Sequence, residues 1–150
     1  MLHDDYHIRI TGRQVYQGGD LEPGEITLQT TGTYRERPGV QFIAYKEYDE
    51  DDPRVCHTAI LKVEPQRLTM MRQGSDTKLI LEKGRRHLCL YDTGFGTFSV
   101  GVFTSELDST LSDRGGHLSV KYTLDVDSAL SSANEIEVDL RPAAPQPQDP

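Results

Sequence analysis

The chain is 150 residues long and carries 24 acidic against 16 basic side chains, a net charge of −8 at pH 7. One domain of that size buries roughly 68–70% of its unfolded surface and forms a core without staples, and the acidic balance disfavours a general nucleic-acid binder, which needs surplus Lys and Arg on one face. No run approaches the roughly 20 apolar residues of a spanning helix. The opening MLHDDYHIRI has acids where a signal peptide has bases, and Cys56 and Cys89 make no disulfide framework, so a cytoplasmic protein with no membrane partner is expected.

Tyr6 to Gln14 alternates weakly, with Ile8 and Ile10 on one face and His7 and Arg9 on the other, and reads as a first strand. After the Gly18-Gly19 and Pro23-Gly24 loop, Glu25 to Tyr34 places Ile26, Leu28 and Thr30 inward and Thr27, Gln29 and Thr31 outward. Threonine-rich strands of this kind suit a half-solvated sheet. Pro38-Gly39 turns the chain into a third strand, Val40 to Tyr48.

Glu47 to Pro53 then holds five carboxylates and a strand-breaking proline. An EF-hand needs ligands at alternate positions, a central glycine and a terminal bidentate Glu, none of which is present. A solvated loop is the expectation.

His57 to Glu64 sets Ala59, Leu61 and Val63 on one face, and Pro65-Gln66 leads into Arg67 to Arg72, with Met70 and Met71 on opposite faces. Gly74-Ser75-Asp76 opens a meander from Leu79 to Val102 with turns at Lys83-Gly84-Arg85 and Asp92-Thr93-Gly94-Phe95-Gly96, where glycine tolerates positive φ. Arg86, Leu88, Leu90 and Asp92 share one face of it, and His87, Cys89 and Tyr91 the other. Both faces are partly apolar, so the outer one calls for cover from a Leu107 and Leu111 segment or from a second subunit. From Thr104 to Asp113 the pattern admits a short helix, with Ser105 as cap, two leucines four apart, and Gly115-Gly116 as stop.

The clearest strand is His117 to Asp127, with Leu118, Val120, Tyr122, Leu124 and Val126 on one face. Asn134 to Arg141 repeats the scheme with Ile136, Val138 and Leu140. Four of the eight prolines lie in Pro142 to Pro150, a disordered tail after a domain of residues 1–141. About eight to ten short strands joined by tight turns mean an all-β fold, a sandwich or a closed barrel; closure removes the free edges, and a single antiparallel up-and-down β-barrel with little helix is expected.

An ordered series of residues supports a resemblance. Glu25-Ile26-Thr27-Leu28 with Thr31-Gly32-Thr33-Tyr34, Tyr45-Lys46-Glu47, Arg72-Gln73-Gly74, Glu82-Lys83-Gly84-Arg85-Arg86-His87 with Tyr91 to Gly96, and Gly115-Gly116-His117-Leu118 with Tyr122-Thr123-Leu124 together resemble the YwiB-like family, bacterial calycin-like barrels with no assigned activity. The resemblance spans about residues 6 to 140 and implies a lipocalin-type barrel in a Gram-positive cytoplasm. It brings no catalytic residues.

The chain shows no G-x-S-x-G elbow and no P-loop, and Gly94-Phe95-Gly96 lacks the strand-to-helix setting of a dinucleotide fingerprint. His87 and Cys89 lie two apart on one strand face, but two ligands do not make a zinc site, and neither a metal nor a cofactor is expected. Lys83 to His87 is the one basic cluster, read as a solvated turn.

The polar candidates for a binding site are Arg72, Arg86, His87, Tyr91 and Tyr122. An arginine pointing into the barrel needs a partner, either an anionic ligand group or an internal acid such as Glu82 or Asp92, while the tyrosines equally suit a core with a local acceptor. Two functions therefore stand: a non-enzymatic module holding a small, partly apolar molecule, or a filled barrel that dimerises or meets a partner through Leu88 to Phe103. An enzyme is a distant third.

Overall fold

Period-two alternation and glycine turns build the chain into one continuous antiparallel ladder. The computed structural model describes residues 6–16, 24–48, 54, 56–92, 96–126 and 129–143. Ten strands lie within them: β1 (Tyr6–Tyr16), β2 (Gly24–Arg37), β3 (Val40–Tyr48), β4 (Cys56–Glu64), β5 (Arg67–Arg72), β6 (Lys78–Glu82), β7 (Arg86–Asp92), β8 (Thr97–Ser109), β9 (Gly116–Val126) and β10 (Ala129–Pro142). Each pairs with its sequence neighbours, and β1 pairs with both β2 and β10, so the sheet is a closed up-and-down barrel without an edge. Most of the acidic run, the Gly94 and Phe95 turn residues and the end of the proline tail lie outside the described residues.

Tight turns with positive φ at Gly39 and Gly84 close β2–β3 and β6–β7 at one end of the barrel. Its interior behind those turns is packed, with a cleft of about 340 Å³ at the rim bordered by Gln41, Val63, Leu107 and Leu111. Ile8, Tyr34, Ile43, Leu61, Val63, Leu68, Leu81, Leu118, Val120, Val138 and Leu140 are all buried. Burial at roughly 25 cal/mol per Å² of apolar surface is what holds such a wall together. Tyr34 donates to Glu36 (2.8 Å), Gln41 donates to the Tyr34 hydroxyl (2.8 Å) and to the Leu111 carbonyl (2.6 Å), and the Tyr6 and Tyr34 rings meet at 5.6 Å, sealing the floor with satisfied polar groups.

No helix forms from Thr104 to Asp113. β8 runs on to Ser109, and its pairing with β9 slips by one residue between Thr104 and Glu106. Before this bulge the inward positions are Val100, Val102 and Thr104; after it they become Leu107 and the positions two and four beyond, so leucines four apart are one strand face interrupted by Ser109. Leu107 and Leu111 are buried in the inner wall and give the outer face of β7 no cover. Leu88 there is 71% exposed.

The wall is weakest between β6 and β7, joined by the single pair Lys78↔Leu90. Across the gap the Ile80 amide donates to Cys89 Sγ (3.2 Å), and the Gly84 amide in the β6–β7 turn donates to the Thr104 carbonyl of β8 (2.8 Å).

Candidate functional site

Toward the other end, where β1 leads to β2 and β9 to β10, the inward positions of β2 lose their cover while Tyr122, Ser132 and Asn134 across from them stay buried. Register fixes which these are: Ile8 pairs with Thr30 and Leu140, so Ile10, Gly12 and Gln14 continue its face, opposite Leu28, Ile26 and Gly24 on β2 and Val138, Ile136 and Asn134 on β10. Ile26 therefore points inward as its alternation predicts. It is nevertheless 77% exposed, and Leu28 is partly exposed beside it. A side chain added at Gly12 would meet nothing within 4 Å.

The space bounded by Gly12, Gln14, Ile26, Tyr122, Asn134 and Ile136 has a volume of about 240 Å³. One row of inward residues crosses four strands along it, because Thr104 pairs with Tyr122, Tyr122 with Asn134, and Asn134 with Gln14. Asn134 Nδ2 donates to Ser132 Oγ (3.0 Å), as does Gln14 Nε2 (3.4 Å). Thr104 Oγ1 is buried without a hydrogen-bond partner among the described residues.

Arg72 reaches the same end from β5. It pairs with buried Ala59 and so faces inward, where Nη2 donates to Glu47 (2.8 Å) while Nε stays unpaired. Burial, then the neighbouring Glu47 carboxylate, push the Tyr45 phenol well above the ordinary tyrosine range. Tyr91 pairs with Phe98, and both are exposed on the inward face nearest the opening. Burial raises the Tyr122 phenol to about 12, with a further contribution from Tyr91.

Arg72, Tyr91 and Tyr122 thus all face the interior of the open half, on β5, β7 and β9. Arg86 and His87 do not. Arg86 lies on the outer wall, where Nε and Nη2 hold Asp125 at 3.0 and 2.6 Å across Gly101. His87 Nε2 meets Glu82 at 2.8 Å across the β6–β7 gap, and that hydrogen bond, with Arg67 and Arg85, lowers the Glu82 carboxyl.

Sequence reasoning passed over Gly12, Gln14, Ser132 and Asn134, and counted Glu47 with a solvated loop. Asn134 had a signal: it stands two before Ile136 on the face that holds Val138 and Leu140. No group of three or more His, Cys, Asp or Glu suited to a metal exists among the described residues. Cys89 is buried, which raises its thiol, and accepts from Ile80, so it is a packed side chain rather than a nucleophile.

The chain belongs to the family described as "Domain of unknown function (DUF1934)", whose model matches residues 8–138. Among solved structures it is similar to the ywiB protein from Bacillus subtilis, with a TM-score of 0.75 at 19% identity over 95% of this chain and 96% of that one, which establishes the barrel fold. A monomer form of the PknI sensor domain from M. tuberculosis aligns at a TM-score of 0.44 and 11% identity over 95% and 88% of the two chains, a distance at which the likeness carries no argument. No curated protein matches the chain.

Proposed function

We propose, with membership of this DUF1934 barrel family as the premise, that the protein is a non-enzymatic binding module that takes a small, partly apolar molecule into the open half of a calycin-like barrel. The observation that carries the reading is Ile26, an inward-facing isoleucine left 77% exposed beside a glycine with nothing over it. Barrels of about eight strands fill with side chains or hold one small ligand, and an apolar inner wall left wet gains free energy when a ligand covers it. The space of about 240 Å³ lies below the 300–1,000 Å³ of drug-sized sites and suits a small ligand. Tyr122 lines this space, and Tyr91 and the Glu47-paired Arg72 face the same interior; on this reading these are the groups that meet its polar end.

Native mass spectrometry on protein purified without refolding from its own host, before and after organic extraction, tests the reading. A reproducible extra mass that extraction removes, and that Gly12→Leu abolishes, is expected; bare protein at every step counts against it.

A second reading rests on the outer wall of β7 and β8, where Leu88, Leu90 and Phe103 are exposed. An exposed apolar stripe of this kind suits self-association. Sedimentation velocity showing a dimer that Leu88→Glu converts to a monomer is the expected result on that reading, and a strict monomer removes it.

A further inference from the structure

Two polar side chains in the open half are almost wholly enclosed yet half-used. Tyr122 is 8% and Asn134 9% exposed, and both line the space beside Gly12 and Ile26. They are directly opposed partners on β9 and β10, which puts their Cβ atoms roughly 4.5–5.5 Å apart on one face. Asn134 spends its Nδ2 on Ser132, while its Oδ1 accepts from no described residue. The Tyr122 hydroxyl has no hydrogen-bond partner among them either. The wholly enclosed atoms left unpaired among the described residues are Arg72 Nε and Thr104 Oγ1; the Tyr122 hydroxyl and Asn134 Oδ1 are not among them and belong to side chains that line the open space.

We propose that Tyr122 and Asn134 form a paired recognition point for an uncharged group that carries a hydrogen-bond donor beside an acceptor, the pattern of a primary amide or a lactam. The ligand's N–H donates to Asn134 Oδ1, and its C=O accepts from the Tyr122 hydroxyl. The apolar remainder lies over Gly12 against Ile26 and Ile136.

Charge complementarity points the same way. Arg72, facing the same end of the interior, is already neutralised by Glu47 at 2.8 Å, and Arg13, which borders the space, is held by Glu25, Glu135 and Glu137, so an anionic head group finds no free counter-charge. The enclosure that holds the Tyr122 phenol neutral penalises any ionised ligand atom at the same place. The inference deepens the binding-module reading and rests on it.

Benzamide and benzoate, near-isosteric and differing in charge, are the probes. In ¹H–¹⁵N correlation spectra of the full chain, benzamide at millimolar concentration is expected to move the amides of Gly12, Ile26 and Ile136, and benzoate to leave them in place. Tyr122→Phe and Asn134→Leu keep the side-chain volume and are each expected to weaken benzamide about 3- to 10-fold. Their own spectra, compared with wild type, report whether they fold. Benzoate binding as tightly as benzamide at those amides overturns the inference and leaves the open binding interior standing, as does benzamide binding that neither variant weakens. If neither probe moves the three amides, the donor–acceptor assignment fails; the co-purified mass from the host then decides whether the binding-module reading fails with it.

Discussion

Two inward-facing glycines, Gly32 and Gly12, sit on neighbouring strands of the same barrel wall in opposite surroundings. A Cβ on Gly32 would collide with the Ala44 carbonyl oxygen and stand 2.7 Å from Ile8 Cδ1, whereas one on Gly12 would meet nothing within 4 Å. Gly32 belongs to the half where Ile8, Ile43 and Leu81 are sealed from water, and Gly12 to the half where Ile26 is wet. One alternating pattern builds both halves. Stability therefore resides in the first, and the second is where the proposed ligand would sit.

The contrast breaks most visibly at matched isoleucines. Ile43→Ala, in the sealed half, is expected to cost about 2–5 kcal/mol of unfolding free energy through lost burial and a residual cavity, and Ile26→Ala under about 0.5 kcal/mol; equilibrium urea unfolding at constant slope separates them. The glycines give the next effect. Gly32→Ala forces backbone apart and is expected to cost about 1–3 kcal/mol, while Gly12→Ala stays within about 0.5–1 kcal/mol of wild type, and equal losses at the two positions would erase the distinction.

Alkali probes both halves through their phenols. Tyr34, on the floor, and Tyr122, in the open half, each have a folded pKa raised from 10 to about 12, chiefly by burial. Above pH 10 the unfolded chain has lost these protons and the folded one keeps them, so the contribution is fully present below 10 and drains away as pH rises toward 12. For Tyr122 it amounts to about 2–3 kcal/mol by pH 12. Tyrosinate absorbance is expected to show late-titrating phenols whose ionisation coincides with unfolding, and Tyr122→Phe to reduce the alkaline loss.

A modest effect is expected at the ion pair of the open half. Glu47→Gln removes the Arg72 counter-charge; both side chains are about a third exposed, so the cost is held to about 1 kcal/mol. The Tyr45 phenol, freed of the neighbouring carboxylate, is expected to titrate lower than in wild type.

Much of this architecture was legible in period-two alternation. His117 to Val126 and the strand through Ile136, Val138 and Leu140 read directly as walls, and ten strands with tight turns predicted closure. A single extra residue at Ser105 defeated the same rule on β8, because a bulge moves the inward face by one position and makes Leu107 and Leu111 look helical. Burial was harder to read than direction. Ile26 points where its alternation predicts, but whether anything stands opposite it depends on residues more than 90 positions away on β9 and β10. The partners of Arg86 and Arg72 were hidden for the same reason: Asp125 and Glu47 meet them only through barrel register.

Isoleucine methyl spectra recorded with a soluble nitroxide test the two-halved interior most directly. The Ile26 δ1 methyl is expected to broaden strongly while those of Ile8 and Ile43 stay sharp. An Ile26 methyl as protected as that of Ile43 would contradict the two-halved interior, and with it the open half on which the binding reading depends.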